Sequence, residues 1–132
     1  MLFRSLSFVD RCRTAGIKTA IATSADLMKM EINLREIGLP ADSFDVTVNG
    51  SQVIHRKPSP EIYLTAAQKV GIEPRYCLVV EDAVNGIQAA KAAGMYCLAL
   101  TISFGAKQLK QADMICKDLS EVSESIFVID EQ

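Results

Sequence analysis

At 132 residues, 49% hydrophobic and 23% charged, the chain has the size and composition of one domain around one core. Its net charge of −2 and pI near 5.4 give no general attraction to nucleic acid or to an anionic membrane surface, and neither is expected as a partner. No apolar stretch approaches the ~20 residues of a membrane span. The N-terminus lacks a signal-peptide pattern, so the expected location is the cytoplasm.

The pattern along the chain alternates helix and strand. Residues 3–14 read as a helix with Phe3, Leu6 and Val9 or Asp10 on one face, and Gly16 stops it. Residues 19–23 are a short β-rich run. Residues 26–37 read as a helix, because Leu27, Met30, Leu34 and Ile37 step by threes and fours before Gly38. Residues 44–48 read as a strand and Asn49-Gly50 as a turn.

Ser59-Pro60 then starts a helix with proline at its first position, where the missing N–H is harmless. Tyr63, Ala66, Ala67 and Val70 form the apolar stripe of this helix, and Gly71 ends it. Strands at residues 77–80 and 97–100 flank a helix at 84–93. A short strand near 114–116 precedes a helix from Leu119 to about Ile126. This spacing predicts a single α/β domain over residues 1–132, with a parallel sheet and right-handed crossovers.

Cys12, Cys77, Cys97 and Cys116 show no C-x-x-C spacing, and the single histidine, His55, argues against a zinc cluster. Three of these cysteines lie in apolar runs, so buried thiols in a reducing compartment are expected. Met28, Met30 and Met95 are expected to fill gaps in the core.

Three stations carry chemistry. In Val79-Val80-Glu81-Asp82-Ala83-Val84-Asn85-Gly86, an apolar run ends in two adjacent carboxylates before a small-residue helix. Acids there lie at the carboxyl edge of a buried strand, where open α/β sheets keep ligand sites. Adjacent acids are costly unless a cation or partner shares their charge, and a hard ion such as Mg²⁺ suits them. The same pair also reads as an acidic helix start with Asp82 as N-cap. Taken alone, the pair leaves both readings open.

Upstream, Ala20-Ile21-Ala22-Thr23-Ser24 is an apolar run ending in hydroxyls, and Arg56-Lys57-Pro58-Ser59-Pro60-Glu61 sets a lysine before a helix start. In the order hydroxyl, lysine, acid pair, these stations resemble the second, third and fourth motifs of the haloacid-dehalogenase-like hydrolases. The likeness is closest to the branch of β-phosphoglucomutase and phosphoglycolate phosphatase. Lys57-Pro58-Ser59-Pro60-Glu61-Ile62-Tyr63 and Glu81-Asp82-Ala83-Val84-Asn85-Gly86-Ile87 are its specific part, and it runs from about Phe3 to about Val128. A phosphoacceptor receiver domain resembles the chain less, because its acid pair would precede the hydroxyl and the lysine.

The resemblance implies a Mg²⁺-dependent phosphohydrolase or phosphomutase that acts on a small phosphorylated metabolite through an aspartyl-phosphate. It implies Thr23, Lys57 and Asp82 as catalytic residues, with Lys57 as the point charge on the phosphoryl group. Thr23, Ser24 and Lys57 are the implied phosphate contacts, helped by the Ser24 and Ala25 amides at a helix N-terminus. Asp82 is the implied metal ligand, and Glu81 a direct or water-mediated second. Ser24 would also serve as the cap of the next helix. Lys57 is expected to pair with Asp82 when no phosphate is bound. Gly86 either clears space beside the site or is a packing glycine.

The family's first motif, Asp-x-Asp-Gly, does not occur in the sequence. The resemblance therefore implies a three-layer Rossmann-like parallel sheet that lacks its central first strand and its cap. The chain would then be the C-terminal portion of a larger enzyme, inactive alone. In that fold the strands ending at Thr23 and Glu81 flank the missing one. They must either pair directly or leave a groove for the N-terminal segment or another chain. The alternative function is a noncatalytic phosphate- or partner-binding protein derived from the same fold.

Overall fold

Alternating apolar runs and amphipathic stretches form nine main elements in a computed structural model that describes residues 2–102 and 104–119. In chain order they are α1 (Leu2–Thr14), β1 (Ala20–Ala22), α2 (Leu27–Glu36), β2 (Val46–Val48), α3 (Glu61–Val70), β3 (Leu78–Glu81), α4 (Val84–Ala92), β4 (Tyr96–Leu100) and β5 (Met114–Cys116). Short 3-10 turns lie at Ala41–Ser43, Gly50–Gln52 and Pro74–Tyr76. The helix expected beyond Leu119 lies outside the described residues. Gly71 ends α3 at φ 75°, a left-handed cap that a side chain would strain.

The strands are parallel, as predicted, but they form two sheets rather than one. β1 pairs with β2, placing Ala20 beside Val46 and Ala22 beside Val48. β3, β4 and β5 form the second sheet in that order, with Glu81 beside Ala99. β1 and β3 do not pair with each other, so the two strands that flank the expected gap remain apart.

One core nevertheless spans both sheets. Ile62, Tyr63, Ala66 and Ala67 of α3 meet Val48 of β2, Val79 of β3 and Ile87 of α4, with Ala22 of β1 against them. β4 is buried on both faces and alternates between two clusters. Cys97 and Ala99 face the α3 and α4 layer, while Leu98 and Leu100 join Leu119 and Phe8 of α1. Helices on both faces of β4 give the three-layer arrangement.

The core-filling expectation for Met28 fails on α2. Only Met30 and Leu34 are buried there, whereas Leu27, Ile32 and Ile37 are exposed and Met28 is 73% exposed. The helix packs chiefly on the turn Ala41–Ser43, and a neighbour that small covers only a narrow stripe. Of the cysteines, Cys12 and Cys97 are buried and Cys77 and Cys116 half-buried, all four as free thiols. Among the described residues no helix is long and apolar enough to cross a membrane.

Candidate active site

The strand predicted at residues 77–80 is displaced by one, to Leu78–Glu81, and this displacement builds the site. Side chains alternate along a strand, so Glu81 shares a face with Val79, the face covered by α3 and α4. Its carboxylate therefore enters a buried position and needs partners there.

Four donors supply them. The Asp82 and Ala83 amides donate to Oε1 at 3.0 and 3.2 Å. Lys57 Nζ donates to Oε2 at 3.0 Å and the Tyr63 hydroxyl to the same oxygen at 2.7 Å. An ionised carboxylate offers about four acceptor positions, so Glu81 is fully engaged. Burial opposes its ionisation, but the Lys57 charge and the bonds from Tyr63, Lys57 and the Asp82 amide outweigh that and hold its pKa below the ordinary value. Burial and the Glu81 charge together push the Tyr63 phenol far above its usual range, so it stays a donor.

Lys57 precedes Pro58-Ser59-Pro60 at the head of α3, and its side chain is 18% exposed. Its ammonium lies 5.0 Å from the Tyr63 ring centroid, within cation–π range. The ion pair expected with Asp82 thus forms with Glu81, because the strand alternation sends Glu81 towards the lysine. It is also a half-buried pair, not the exposed one that a surface lysine would make.

Gly86 decides how closely α4 can approach. A Cβ there would overlap the Glu81 side chain, so the residue clears space for this carboxylate. Asp82 is half-buried just beyond β3. The helix-cap reading of Asp82 does not hold, since the N-cap of α4 is Ala83, without a side-chain bond.

On the other sheet, Thr23 follows β1 and its amide donates to Val48 O at 2.9 Å. Its Oγ1 accepts from the Ala25 amide at 3.1 Å, so that amide is already engaged by its own loop. Ser24 is exposed. The cap of α2 is Asp26, which accepts from the Lys29 amide at 2.8 Å, and Ser24 does not fill that role. The loop after β2 locks onto this one: Gly50 donates to Ala25 O at 2.7 Å, and a Cβ on Gly50 would strike the Ser24 carbonyl. Buried Asn49 closes the turn through a reciprocal bond set with Ser51 and Gln52.

The loop then runs from Gly50 to Lys57. Glu61, in the first turn of α3, accepts from the Ile54 and His55 amides at 3.0 and 2.6 Å. Those bonds hold its pKa down. His55 and Arg56 are exposed. Thr23, Gly50, Lys57 and Glu81 are thus linked through one continuous set of loops at strand ends.

A sequence profile described as that of the haloacid dehalogenase-like hydrolases matches residues 4–94. The chain belongs to this family. It is 45% identical over 118 residues to the validoxylamine A 7'-phosphate phosphatase of Streptomyces hygroscopicus subsp. limoneus, covering 89% of this chain and 55% of that protein. It is 39% identical over 121 residues to Suppressor of Quenching 1, a chloroplast protein of Arabidopsis thaliana, covering 90% of this chain and 12% of that one. The crystal structure of CbbY from Rhodobacter sphaeroides in complex with phosphate superimposes with a TM-score of 0.81 at 32% identity, over 88% of this chain and 53% of that one. The chain spans about half or less of the length of these relatives.

Of the residues that the family likeness singled out, Lys57 and Glu81 are in direct contact and Asp82 adjoins them. Thr23 and Ser24 stand at the end of the neighbouring sheet. Tyr63, Gly50 and Glu61 escaped the sequence reading. Tyr63 passed as one more member of an apolar stripe, although a buried tyrosine normally finds a partner for its hydroxyl. Its place in the motif Lys57-Pro58-Ser59-Pro60-Glu61-Ile62-Tyr63 was the available signal.

Proposed function

We propose that the chain supplies the phosphate- and cation-binding side of a haloacid dehalogenase-like phosphohydrolase or phosphomutase acting on a small phosphorylated metabolite. The observation that carries this reading is the half-buried Lys57–Glu81 pair at the carboxyl end of β3, with Asp82 beside it. A lysine ammonium has three donors. One is directed by Glu81, which aims the charge and leaves donors for phosphoryl oxygens. Phosphoryl transfer demands such neutralisation of the transferred group. Thr23 and the Ser24 amide are the further contacts in this reading.

The carboxylates also fit a hard divalent cation, in a restricted way. Among the described residues no group of three or more His, Cys, Asp or Glu side chains gathers as a metal cage. Mg²⁺ needs no such cage, because one or two carboxylates plus substrate phosphates suffice. Asp82 is the residue that would hold it. Glu81 could bind it directly only by giving up one of its four donors, and it serves in this reading to orient Lys57. The ion would supply charge neutralisation of the phosphoryl group.

The attacking aspartate of the covalent route is outside the sequence given, which contains no Asp-x-Asp-Gly. Among the described residues β1 and β3 each have one unpaired edge, which offers its strand a place, since both strands border the same core. A segment N-terminal to this chain, or another chain, would fill it. The missing motif also favours a second reading, a noncatalytic phosphate- or partner-binding protein of the same fold.

Assay of the chain with p-nitrophenyl phosphate and Mg²⁺, together with calorimetric titration of Mg²⁺, phosphate and both, tests this function. The expected result is no turnover and weak binding of each ligand, with each helping the other. Tight Mg²⁺ binding that survives Asp82→Ala would refute the metal placement. Robust hydrolysis abolished by Asp82→Asn would show that an acid within the chain acts as nucleophile.

A further inference from the structure

We propose that Tyr63 is a positioning residue of the phosphate site: by donating to the Glu81 oxygen that also holds Lys57, it lets the ammonium turn towards an incoming phosphate. The inference rests on Lys57 being the phosphate's point charge, as argued above.

A carboxylate and a phosphate compete for the same ammonium. With Lys57 as the sole side-chain donor to Oε2, moving the ammonium would leave a largely desolvated anionic oxygen without a protein partner, which is costly. The Tyr63 hydroxyl, at 2.7 Å, keeps that oxygen hydrogen-bonded whichever way the ammonium leans. The ring adds a second guide, because the ammonium rests 5.0 Å from its centroid and retains that attraction when it shifts.

Placement makes the arrangement stiff. Tyr63 is 6% exposed in the first half of α3, the helix that begins just after Lys57-Pro58-Ser59-Pro60. Lysine, ring and carboxylate are therefore held by one helix start and one strand end. A purely structural tyrosine would need only some acceptor for its hydroxyl. Here the acceptor atom is the one that holds the lysine.

Tyr63→Phe removes the hydroxyl and keeps the ring. Two readouts separate positioning from packing: the affinity for inorganic phosphate with both proteins fully folded, and the ammonium resonance of Lys57 in ¹⁵N-lysine-labelled protein. The expected result is phosphate binding weakened about three- to tenfold, with a shifted and faster-exchanging Lys57 signal. In a Glu81→Gln background the same substitution should change phosphate affinity by less than twofold. Equal affinity in Tyr63→Phe and the parent, or an unchanged Lys57 signal, overturns the proposal. If the parent itself binds no phosphate, the functional reading above fails, and the proposal falls with it even where the Lys57 signal responds to Tyr63→Phe.

Discussion

The lysine–acid side of the site and the hydroxyl side grow from different sheets and are completed differently. On the three-stranded sheet, Glu81 collects four donors from β3, α3 and the loop before α3. On the two-stranded sheet, Thr23 turns its oxygen to the Ala25 amide and Ser24 stays exposed. The difference follows from burial. A carboxylate taken out of water must find its partners within the chain, whereas the exposed Ser24 hydroxyl is open to solvent. The first side is therefore woven into folding, and on the second the exposed Ser24 side chain can be altered with little structural consequence.

Glu81→Ala should give the largest effect. It leaves Lys57, Tyr63 and two amides without their common acceptor, and leaving such half-buried donors unsatisfied costs about 1–3 kcal/mol. Urea denaturation of variant and parent measures it. A loss below about 0.5 kcal/mol, the level of surface substitutions, would mean that this side is no more integral than the other. The network also has a pH signature. The Glu81 pKa is depressed in the fold from an ordinary value of 4.5. Its stabilising contribution is thus fully present above that value and lost as pH falls through the lower folded value. The stability gap between the parent and Glu81→Gln should accordingly close below about pH 4.5. Taking the difference removes the similar acid response of Asp113, whose pKa is lowered by Lys91.

Gly86→Ala comes next. In an unconstrained helix this exchange stabilises by up to about 1 kcal/mol. Against the Glu81 side chain the sign should reverse, to a loss of about 1–3 kcal/mol from overpacking. A rise in thermal midpoint would show that α4 and the acid are not in the close contact described.

Much of the lysine–acid side was legible because its motif has a fixed grammar: an apolar run, two acids and a small-residue helix. What the sequence concealed was which acid faces inward. Extended geometry that continues through Glu81 keeps the alternation, so Glu81 shares the inward face of Val79 and Asp82 does not. The inclusion of Glu81 in β3 is why Lys57 meets Glu81 rather than the expected Asp82. Tyr63 was hidden for a related reason, since an apolar stripe records that a side chain is buried and not what its polar tip touches. On the other sheet, helix periodicity overstated the burial of α2, because Leu27 and Ile37 have no facing element large enough to cover them.

The smallest effect sharpens the contrast most. Ser24 and Asp26 both precede α2, and composition alone makes either a plausible cap. Only Asp26 accepts from the helix, at the Lys29 amide, and Ser24 lies exposed two residues earlier. Asp26→Ala should thus cost about 1 kcal/mol, while Ser24→Ala stays within about 0.5 kcal/mol of the parent. Equilibrium denaturation of both variants checks the pair. Equal losses would return the cap to Ser24 and make the loop after β1 part of the folded frame. If Ser24→Ala is silent in stability, any loss of phosphate affinity in that variant belongs to ligand contact alone. No substitution at Glu81 allows that separation, because there the group that aims the lysine also holds α3 and β3 together.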